Sequence, residues 1–337
     1  MKYIIDYFKK IHFKKINVIY TLGIVLLIII SGFFMKYFSR YIKEKNTNTS
    51  NSHEIHNNYK NYSSKGKYYL YYNDKIIDDI KEEVDSFYLN NLSTAIYYSD
   101  SNDNEIYHNN YDSIALFGLK SFSLYEIFKD KKYYEYAKNQ FDYLVNNLSS
   151  DGKFYINENN RIYSNYVGRW YAANTNGYFL SLLARIYSVE KSEVLFRAGE
   201  RAIIPFKTSV TNGGCVDYFL DYKLYETYPN EEQSTFNLTG FLNILIGLKD
   251  YGNIVGNTEA IKLYNDGINS LEYVISFYDN DNGLSSYDLM NYFKPGVKNS
   301  SAKYHKEDIQ ALQLINSLNH KKVFKFYIDR WNEYLDK

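Results

Sequence analysis

Three glycine turns divide the chain from about residue 110 onward into segments that are each long enough for one pair of helices. The turns are Asp151-Gly152, Asn212-Gly213-Gly214 and Asn282-Gly283, and Gly152, Gly214 and Gly283 lie 62 and 69 residues apart. An Asp-Gly or Asn-Gly pair favours a tight turn and is a strong signal for a β-hairpin. Since similar turns at a regular spacing are typical of repeat architectures, we predict short hairpins between successive helix pairs.

Between these turns the apolar residues recur with the period of an α-helix, as at Ile114, Leu116, Leu119 and Phe122. Eight helical runs are predicted, at 112–128, 133–148, 170–189, 192–206, 233–250, 257–277, 304–318 and 321–335. Together they predict an all-α fold, an (α/α) barrel or toroid of about four helix pairs with short rim hairpins and a central cleft. An irregular helical array is the alternative, and the regular spacing argues against it.

The N-terminus carries an uncharged segment of 20 residues, 16–35. A helix of that length matches a hydrocarbon core of about 30 Å. It is longer than the apolar region of a typical signal peptide, and no small-x-small cleavage site follows it. We therefore predict a single transmembrane signal anchor behind a basic tail, 1–15. The small excess of lysines before the span places the N-terminus inside, so the remaining chain is expected outside the cytoplasm, in a lumen or periplasm.

The composition changes after the anchor. Residues 46–66 are rich in Asn, Ser, Thr and Lys and contain one aliphatic residue, Ile55, which predicts a flexible stalk. Residues 67–110 form a lead-in segment with a partial helical pattern from Asp74 to Tyr88. The predicted catalytic domain then covers 111–337.

Charge and motif content exclude several classes of function. The formal net charge is zero, so no global field would attract a polyanion, and no nucleic-acid-binding motif is present. A single cysteine, Cys215, excludes an intramolecular disulfide bond. The chain has no Walker loop, no dinucleotide-binding glycine pattern and no clustered metal ligands, and the acidic residues near Gly283 do not have EF-hand spacing. We expect no metal and no cofactor, and a homodimer is left open.

Three short segments place tyrosines beside turns or at the edge of a helical run. They are Tyr225-Glu226-Thr227-Tyr228-Pro229, Gly283-Leu284-Ser285-Ser286-Tyr287-Asp288-Leu289 and Lys303-Tyr304-His305. Between Asp288 and Glu307 the chain has four lysines, one histidine and no acidic residue. A positive stretch that contains phenols suits an anionic substrate from which a carbon-bound proton is removed.

Residues 168–337 resemble the C-terminal domain of the D-glucuronyl C5-epimerases, which convert glucuronic to iduronic acid in heparan-type chains. The resemblance rests on motifs that follow one another in the same order, namely Arg169-Trp170-Tyr171-Ala172-Ala173, Gly177, Leu182-Leu183-Ala184-Arg185-Ile186-Tyr187, Tyr225-Glu226-Thr227-Tyr228-Pro229, Phe236, Leu238-Thr239-Gly240-Phe241, Leu245-Ile246-Gly247-Leu248, Tyr287-Asp288-Leu289, Tyr304-His305, Leu312-Gln313-Leu314, Phe326 and Arg330-Trp331.

The resemblance implies a uronic-acid-containing polysaccharide as the partner and three catalytic tyrosines, which fall on Tyr228, Tyr287 and Tyr304. Three positions depart from the family's pattern. Thr227 stands where a glutamate is usual, Met290 where an arginine is expected, and Asp308 where a histidine is expected. The substrate is expected to contact residues that flank these motifs: Arg169, Tyr171, Asn174, Lys303, His305 and Lys306.

The chemistry of a uronate explains these residue types. Removal of the C5 proton builds negative charge next to a carboxylate, so the site needs a base, an acid and a group that neutralises the carboxylate. A phenol has a reference pKa of about 10 and needs a nearby cation to act as a base at neutral pH. We expect that cation to be one of Arg169, Lys303, His305 and Lys306.

Two other functions are open at the level of sequence. A polysaccharide lyase would share the step that forms the carbanion and would then expel the C4 substituent. A non-catalytic glycan-binding scaffold would keep the fold and lose the chemistry. Retention of the three tyrosines argues against the scaffold, while Thr227 and Met290 keep that alternative open.

Overall fold

The structure is a computed structural model that describes residues 74–90, 111–157, 168–280, 284–294 and 302–335. The predicted basic tail, anchor and stalk lie outside these residues, so membrane attachment stays a prediction. Within the described ranges, no helix has both the length and the apolar character needed to cross a membrane.

Nine α-helices lie within the described residues. They are α1 (Asp74–Asn90), α2 (Tyr111–Phe128), α3 (Lys131–Asn147), α4 (Ala173–Val189), α5 (Glu193–Ala202), α6 (Leu238–Val255), α7 (Thr258–Val274), α8 (Ala302–Asn319) and α9 (Lys322–Leu335). The eight predicted runs are confirmed as α2 to α9, and the partial pattern of the lead-in segment corresponds to α1.

The helices α2 to α9 follow one another as four pairs, and only two or three residues join the members of each pair. Polar side chains at these short connections accept hydrogen bonds from the first turn of the second helix. Asp130 caps α3, Ser192 caps α5 and Asn257 caps α7 in this way. Each cap satisfies a backbone N–H that the helix itself leaves without a partner, and the cap fixes where the second helix begins.

Helices α4 and α6 make the most extensive helix–helix contact among the described elements. Glycines on both helices allow their backbones to approach closely. A Cβ atom added to Gly247 would lie 2.1 Å from the carbonyl oxygen of Gly177, and one added to Gly177 would lie 2.8 Å from Cα of Ile244. The side chains of Arg185 on α4 and Asp250 on α6 form a buried ion pair 3.1 Å long beside this contact.

Two short antiparallel strand pairs accompany the helices. Strand β1 (Tyr155–Ile156) pairs with β2 (Trp170–Tyr171), and β3 (Val216–Phe219) pairs with β4 (Tyr222–Tyr225). The two strand pairs confirm the expected β-structure between helix pairs, but the glycine turns are not the hairpin turns themselves. The turn between β3 and β4 is made by Leu220 and Asp221, which both have positive φ.

Gly152 lies in the connection between α3 and β1. The prediction that it forms the tip of a hairpin is therefore corrected. Its φ is +81°, and a Cβ atom there would lie 2.0 Å from the carbonyl oxygen of Arg201, so only glycine fits. The buried amide of Asn176 donates to the carbonyl oxygens of Gly152 and Ala202, at 2.6 and 2.8 Å. Gly283 lies outside the described residues, and its neighbours Asp279 and Ser285 form a single antiparallel bridge.

Candidate active site

The three tyrosines singled out in the sequence meet in one cluster. The rings of Tyr287 and Tyr304 have centroids 4.5 Å apart, and the ring of Tyr228 lies 6.1 Å from that of Trp170. Met290 packs against the same group of side chains. The hydroxyls of Tyr228 and Tyr287 are hydrogen-bonded to each other. Segments that are far apart in the sequence therefore bring three phenols together.

Tyr287 is held in place by the N-terminus of α6. Its carbonyl oxygen accepts hydrogen bonds from the backbone N–H of Leu238 at 2.9 Å and from the side-chain amide of Asn237 at 3.0 Å. Asn237 is also the N-cap of α6, where its side-chain oxygen accepts from the N–H of Gly240. One asparagine thus starts the helix and fixes the tyrosine segment against it.

Tyr228 is positioned by its two preceding residues. The carbonyl oxygen of Thr227 accepts from the backbone N–H of Ala173, at the start of α4, at 2.8 Å. The buried carboxyl group of Glu226 accepts from the N–H of Phe236 at 2.6 Å and from the hydroxyl of Thr235 at 3.1 Å. Burial raises the pKa of Glu226 to about 8. These bonds fasten the tyrosine segment to α4 on one side and to the approach to α6 on the other.

His305 is fully buried next to Tyr304, and both of its ring nitrogens are used inside the protein. Nδ1 accepts a hydrogen bond from the backbone N–H of Ser285 at 2.8 Å, while Nε2 lies 3.0 Å from the carbonyl oxygen of Trp331. These partners require a proton on Nε2 and leave the imidazole neutral. Burial lowers the pKa of His305. In this structure His305 is a neutral side chain that holds the Ser285 segment against α8 and α9, and its predicted contact with substrate stays a prediction.

Asp308 stands where a histidine is expected. Like His305, it joins separate segments of the chain. It is fully buried, and its two carboxyl oxygens accept from the hydroxyls of Thr239 at 2.7 Å and Ser285 at 2.8 Å. Burial raises the pKa of Asp308 to about 7, and the two hydrogen bonds act in the opposite direction. Asp308 thus ties α8, α6 and the segment that leads to Tyr287 together.

Burial is the largest influence on the two hydrogen-bonded phenols, and it raises the pKa of both Tyr228 and Tyr287. The Asp112 carboxyl group adds to the effect on Tyr228, while the hydrogen bond between the hydroxyls lowers the pKa of Tyr228 and raises that of Tyr287. Both phenols are protonated at neutral pH in this arrangement. The shared hydrogen bond makes Tyr228 the easier of the two to ionise.

The predicted cations occupy different positions. Arg169 is exposed, and its guanidinium group lies 3.5 Å from the centre of the Tyr155 ring. Lys306 is exposed on α8, and the side chain of Lys303 lies outside the described part of the structure. Contacts of Arg169, Lys303 and Lys306 with a substrate stay predictions.

Tyr171 follows Trp170 in strand β2, where successive side chains point to opposite faces. While Trp170 packs beside Tyr228, the buried hydroxyl of Tyr171 donates to the carbonyl oxygen of Gly213 at 3.3 Å. The ammonium group of Lys153 lies 5.3 Å from the centre of the Tyr171 ring. The hydroxyl of Tyr171 thus joins β2 to the Gly213 turn, and its predicted contact with substrate stays a prediction.

Asn174 lies in the first turn of α4, and its amide donates to the carboxyl group of Asp112 at 2.9 Å. Thr175 also donates to Asp112. Burial raises the pKa of Asp112. The side-chain oxygen of Asn174 is buried and has no hydrogen-bond partner among the residues that the structure describes, which is rare in folded proteins. Sequence reasoning missed Asp112, and its place in the first turn of α2 was the only signal that could have drawn attention to it.

No group of three or more side chains suited to hold a metal ion occurs among the residues that the structure describes. The candidate site brings together phenols, one amide and one carboxyl group. Such a set can donate and accept protons and can hydrogen-bond to sugar hydroxyls.

Three buried carboxyl groups predict that the folded protein is less stable in alkaline than in mildly acidic solution. Burial raises the pKa of Glu226 to about 8, of Asp308 to about 7 and of Asp250 to about 6. The folded state therefore retains protons that the unfolded state has released, and the free energy of unfolding falls as the pH rises from about 4 to about 8. We expect a melting temperature at least about 5 °C lower at pH 8.5 than at pH 5.5, measured by calorimetry.

Glu226→Gln should reduce this dependence on pH, because an amide does not ionise; its oxygen can accept from the N–H of Phe236, and its NH2 group can donate to the hydroxyl of Thr235. Glu193→Gln makes the same change at an exposed carboxyl group on α5 and should leave the dependence as it is in the wild type. Equal melting temperatures of the wild type at the two pH values would contradict the expected protonation of these groups.

Comparisons with known proteins agree with this arrangement. Residues 147–333 match the family described as D-glucuronyl C5-epimerase C-terminus. The D-glucuronyl C5-epimerase of Caenorhabditis elegans is 29% identical over 178 residues, which cover 49% of this chain and 29% of the nematode protein. A protein of Methanocaldococcus jannaschii described as uncharacterized is 27% identical over 167 residues, which cover 49% of this chain and 52% of the archaeal protein. The matches thus span about half or less of these relatives.

Among solved structures, a D-mannose isomerase has the same general fold, with a TM-score of 0.56 at 10% identity over 80% of this chain and 72% of that protein. At this identity the likeness concerns the fold alone. The family match includes more than half of the chain and all three tyrosines of the cluster. This protein therefore belongs to the family of the D-glucuronyl C5-epimerase C-terminus.

Proposed function

We propose that this protein is a uronate C5-epimerase that converts D-glucuronic to L-iduronic acid residues within a polysaccharide. In this proposal the helix pairs form an (α/α) barrel, and the tyrosine cluster lies in its cleft. The observation that carries the proposal is the meeting of Tyr228, Tyr287 and Tyr304, which come from three separate segments. Membership of the epimerase family supports the assignment of proton transfer at C5.

Inversion at C5 needs a group that removes the proton from one face of the sugar and a group that returns a proton to the other face. The intermediate resembles an enolate, so negative charge moves onto the carboxylate at C5 and must be stabilised there. Phenols suit the return step without further help, because Tyr228 and Tyr287 are both held in the protonated form. A general acid or base of this kind typically increases the rate by a factor of about 10²–10⁴.

Tyr228 is the group that we assign to proton removal. A phenol must be ionised before it can accept a proton from carbon, and the hydrogen bond from Tyr287 favours the ionised form of Tyr228. Burial opposes that ionisation, and so does the negative charge of the substrate's carboxylate, so a cation such as a lysine must approach Tyr228 before the step occurs. Tyr304, whose ring packs against that of Tyr287, is assigned to the opposite face of the sugar.

Incubation of the purified protein with a glucuronate-containing polymer in deuterated water tests the proposal. An epimerase exchanges the C5 proton with solvent, so deuterium should accumulate at C5 and iduronate should appear, both measured by NMR. A lyase would instead form a C4–C5 double bond with ultraviolet absorbance and shorter chains. Binding of the polymer without either product would identify a scaffold, and it would refute the proposed epimerase.

A further inference from the structure

An exposed group of aromatic rings lies next to the tyrosine cluster. We call it the aromatic ledge and define it as Phe219, Phe277, Tyr292 and Phe293. Tyr292 and Phe293 are 50% and 54% exposed, whereas Phe219 beneath them is 4% exposed. Adjacent large rings left open to water are unusual on a protein surface and generally mark a binding site. Nothing in the proposed proton transfer uses these rings.

The ledge is rigid. The Phe219 ring packs edge-on against Phe277, Tyr292 and Phe293, with centroids 5.2, 5.8 and 6.0 Å away. The hydroxyl of Tyr292 donates to the carbonyl oxygen of Phe277 at 3.3 Å, which fixes the orientation of its ring. A ligand that binds to fixed rings loses little of its binding free energy to the ordering of side chains.

The ledge is continuous with the tyrosine cluster through one short turn. Met290 packs against Tyr287, and its carbonyl oxygen accepts from the backbone N–H groups of Phe293 at 2.9 Å and Lys294 at 2.7 Å. The side chain of Gln233 joins the same residues, because its amide donates to the sulfur of Met290 and its oxygen accepts from the ammonium group of Lys294. The neutral side chain of Gln233 thus holds the ammonium group of Lys294 where the ledge meets the tyrosine cluster.

These features match the chemistry of an acidic polysaccharide. The faces of pyranose rings present C–H groups, which pack against the electron-rich faces of aromatic rings, while the carboxylates of the chain attract Lys294. We propose that the aromatic ledge is a binding subsite for the sugars that neighbour the reacting uronate in the polymer. The proposal rests on the proposed function, since it takes the tyrosine cluster as the site of the reacting sugar.

Binding of a glucuronate-containing disaccharide and of a long chain with the same repeat, measured by calorimetry with the full protein, tests the ledge. The wild type should bind the long chain at least about tenfold more tightly than the disaccharide. Tyr292→Ala combined with Phe293→Ala should remove most of this difference, because an aromatic anchor at the centre of an interface commonly contributes a tenfold change or more. The affinity for the disaccharide and its C5 exchange should stay within about twofold of the wild type.

Two control variants keep the test specific. Tyr292→Phe preserves the ring and should bind the long chain as the wild type does. Phe128→Ala removes a different exposed ring, at the end of α2, and should also leave binding unchanged. Thermal unfolding of each variant detects any loss of fold, and exchange on the disaccharide provides a second check.

The outcomes separate the ledge from the proposed function. Equal affinity of the wild type for both ligands, or retention of tight long-chain binding by the double variant, would overturn the ledge while C5 exchange could still support the epimerase. Binding of the long chain that depends on Tyr292 and Phe293, without C5 exchange, would overturn the epimerase and support the ledge. Dimers of the wild type that the double variant cannot form, with glycan binding unchanged, would make the ledge a protein interface and overturn the proposal.

Discussion

Tyr287→Phe and Tyr304→Phe should each reduce the rate of C5 proton exchange at least about a hundredfold, because the first removes the hydrogen bond that favours ionisation of Tyr228 and the second removes the hydroxyl assigned to the opposite face of the sugar. Both substitutions remove one oxygen and keep the ring, so the packing of Tyr287 against Tyr304 is retained. In Tyr287→Phe the hydroxyl of Tyr228 also loses its hydrogen-bond donor and becomes harder to ionise. The measurement is deuterium incorporation at C5 of a glucuronate polymer, followed over time.

Tyr133→Phe is the matched control for these variants. The hydroxyl of Tyr133 donates to Asp85 at 3.1 Å, between α3 and α1, and it has no part in the cluster. This variant should exchange the C5 proton at the wild-type rate. If Tyr287→Phe and Tyr304→Phe also exchange at that rate while the wild type is active, the assignment of proton transfer to these phenols fails.

The helices could be predicted from the sequence because their apolar faces repeat with the helical period, and all eight runs of the repeat were found. The positions of the glycine turns relative to the strands were predicted less well. Asp151-Gly152 and Asn212-Gly213-Gly214 were expected at hairpin tips, yet each turn comes before a strand. A glycine with positive φ identifies a turn, but the residues packed around it decide which elements the turn connects, as Arg201 does at Gly152.

The tyrosines of the site could be predicted because their order and setting match a family pattern. The direction of a neighbouring side chain could not. His305 follows Tyr304 in the sequence, but successive residues of a helix lie about 100° apart around its axis, so the two side chains have different surroundings. Tyr304 meets Tyr287, whereas His305 points to Ser285 and Trp331.

Two departures from the family pattern have a structural account. Asp308 binds the hydroxyls of Thr239 and Ser285, so a buried carboxyl group now joins the elements that position Tyr287. Met290 fills space against Tyr287 and lies where the cluster continues into the aromatic ledge. Asp112 could not be identified from the sequence, because its role depends on Asn174 and Thr175, which lie about sixty residues away in the sequence.

The close contact of α4 and α6 predicts the largest loss of stability. In a helix interior, Gly→Ala commonly stabilises a protein by about 0.5–1 kcal/mol, because glycine loses more backbone entropy on folding. Gly247→Ala should instead lower the free energy of unfolding by about 3 kcal/mol or more, since the new methyl group would lie 2.1 Å from the carbonyl oxygen of Gly177. No side chain can rotate away to relieve this contact. Denaturant unfolding of the variant and the wild type measures the difference.

Gly118→Ala is the matched control, because the nearest atom to its new Cβ is the tip of the Leu182 side chain, which can move. It should change the free energy of unfolding by less than about 1 kcal/mol. Gly247→Ala should also lower C5 exchange, since α4 holds the Tyr228 segment through Ala173 and α6 holds Tyr287 through Leu238. A Gly247→Ala protein with wild-type stability would show that the two backbones do not meet at these glycines, and that the spacing of the phenols does not depend on their contact.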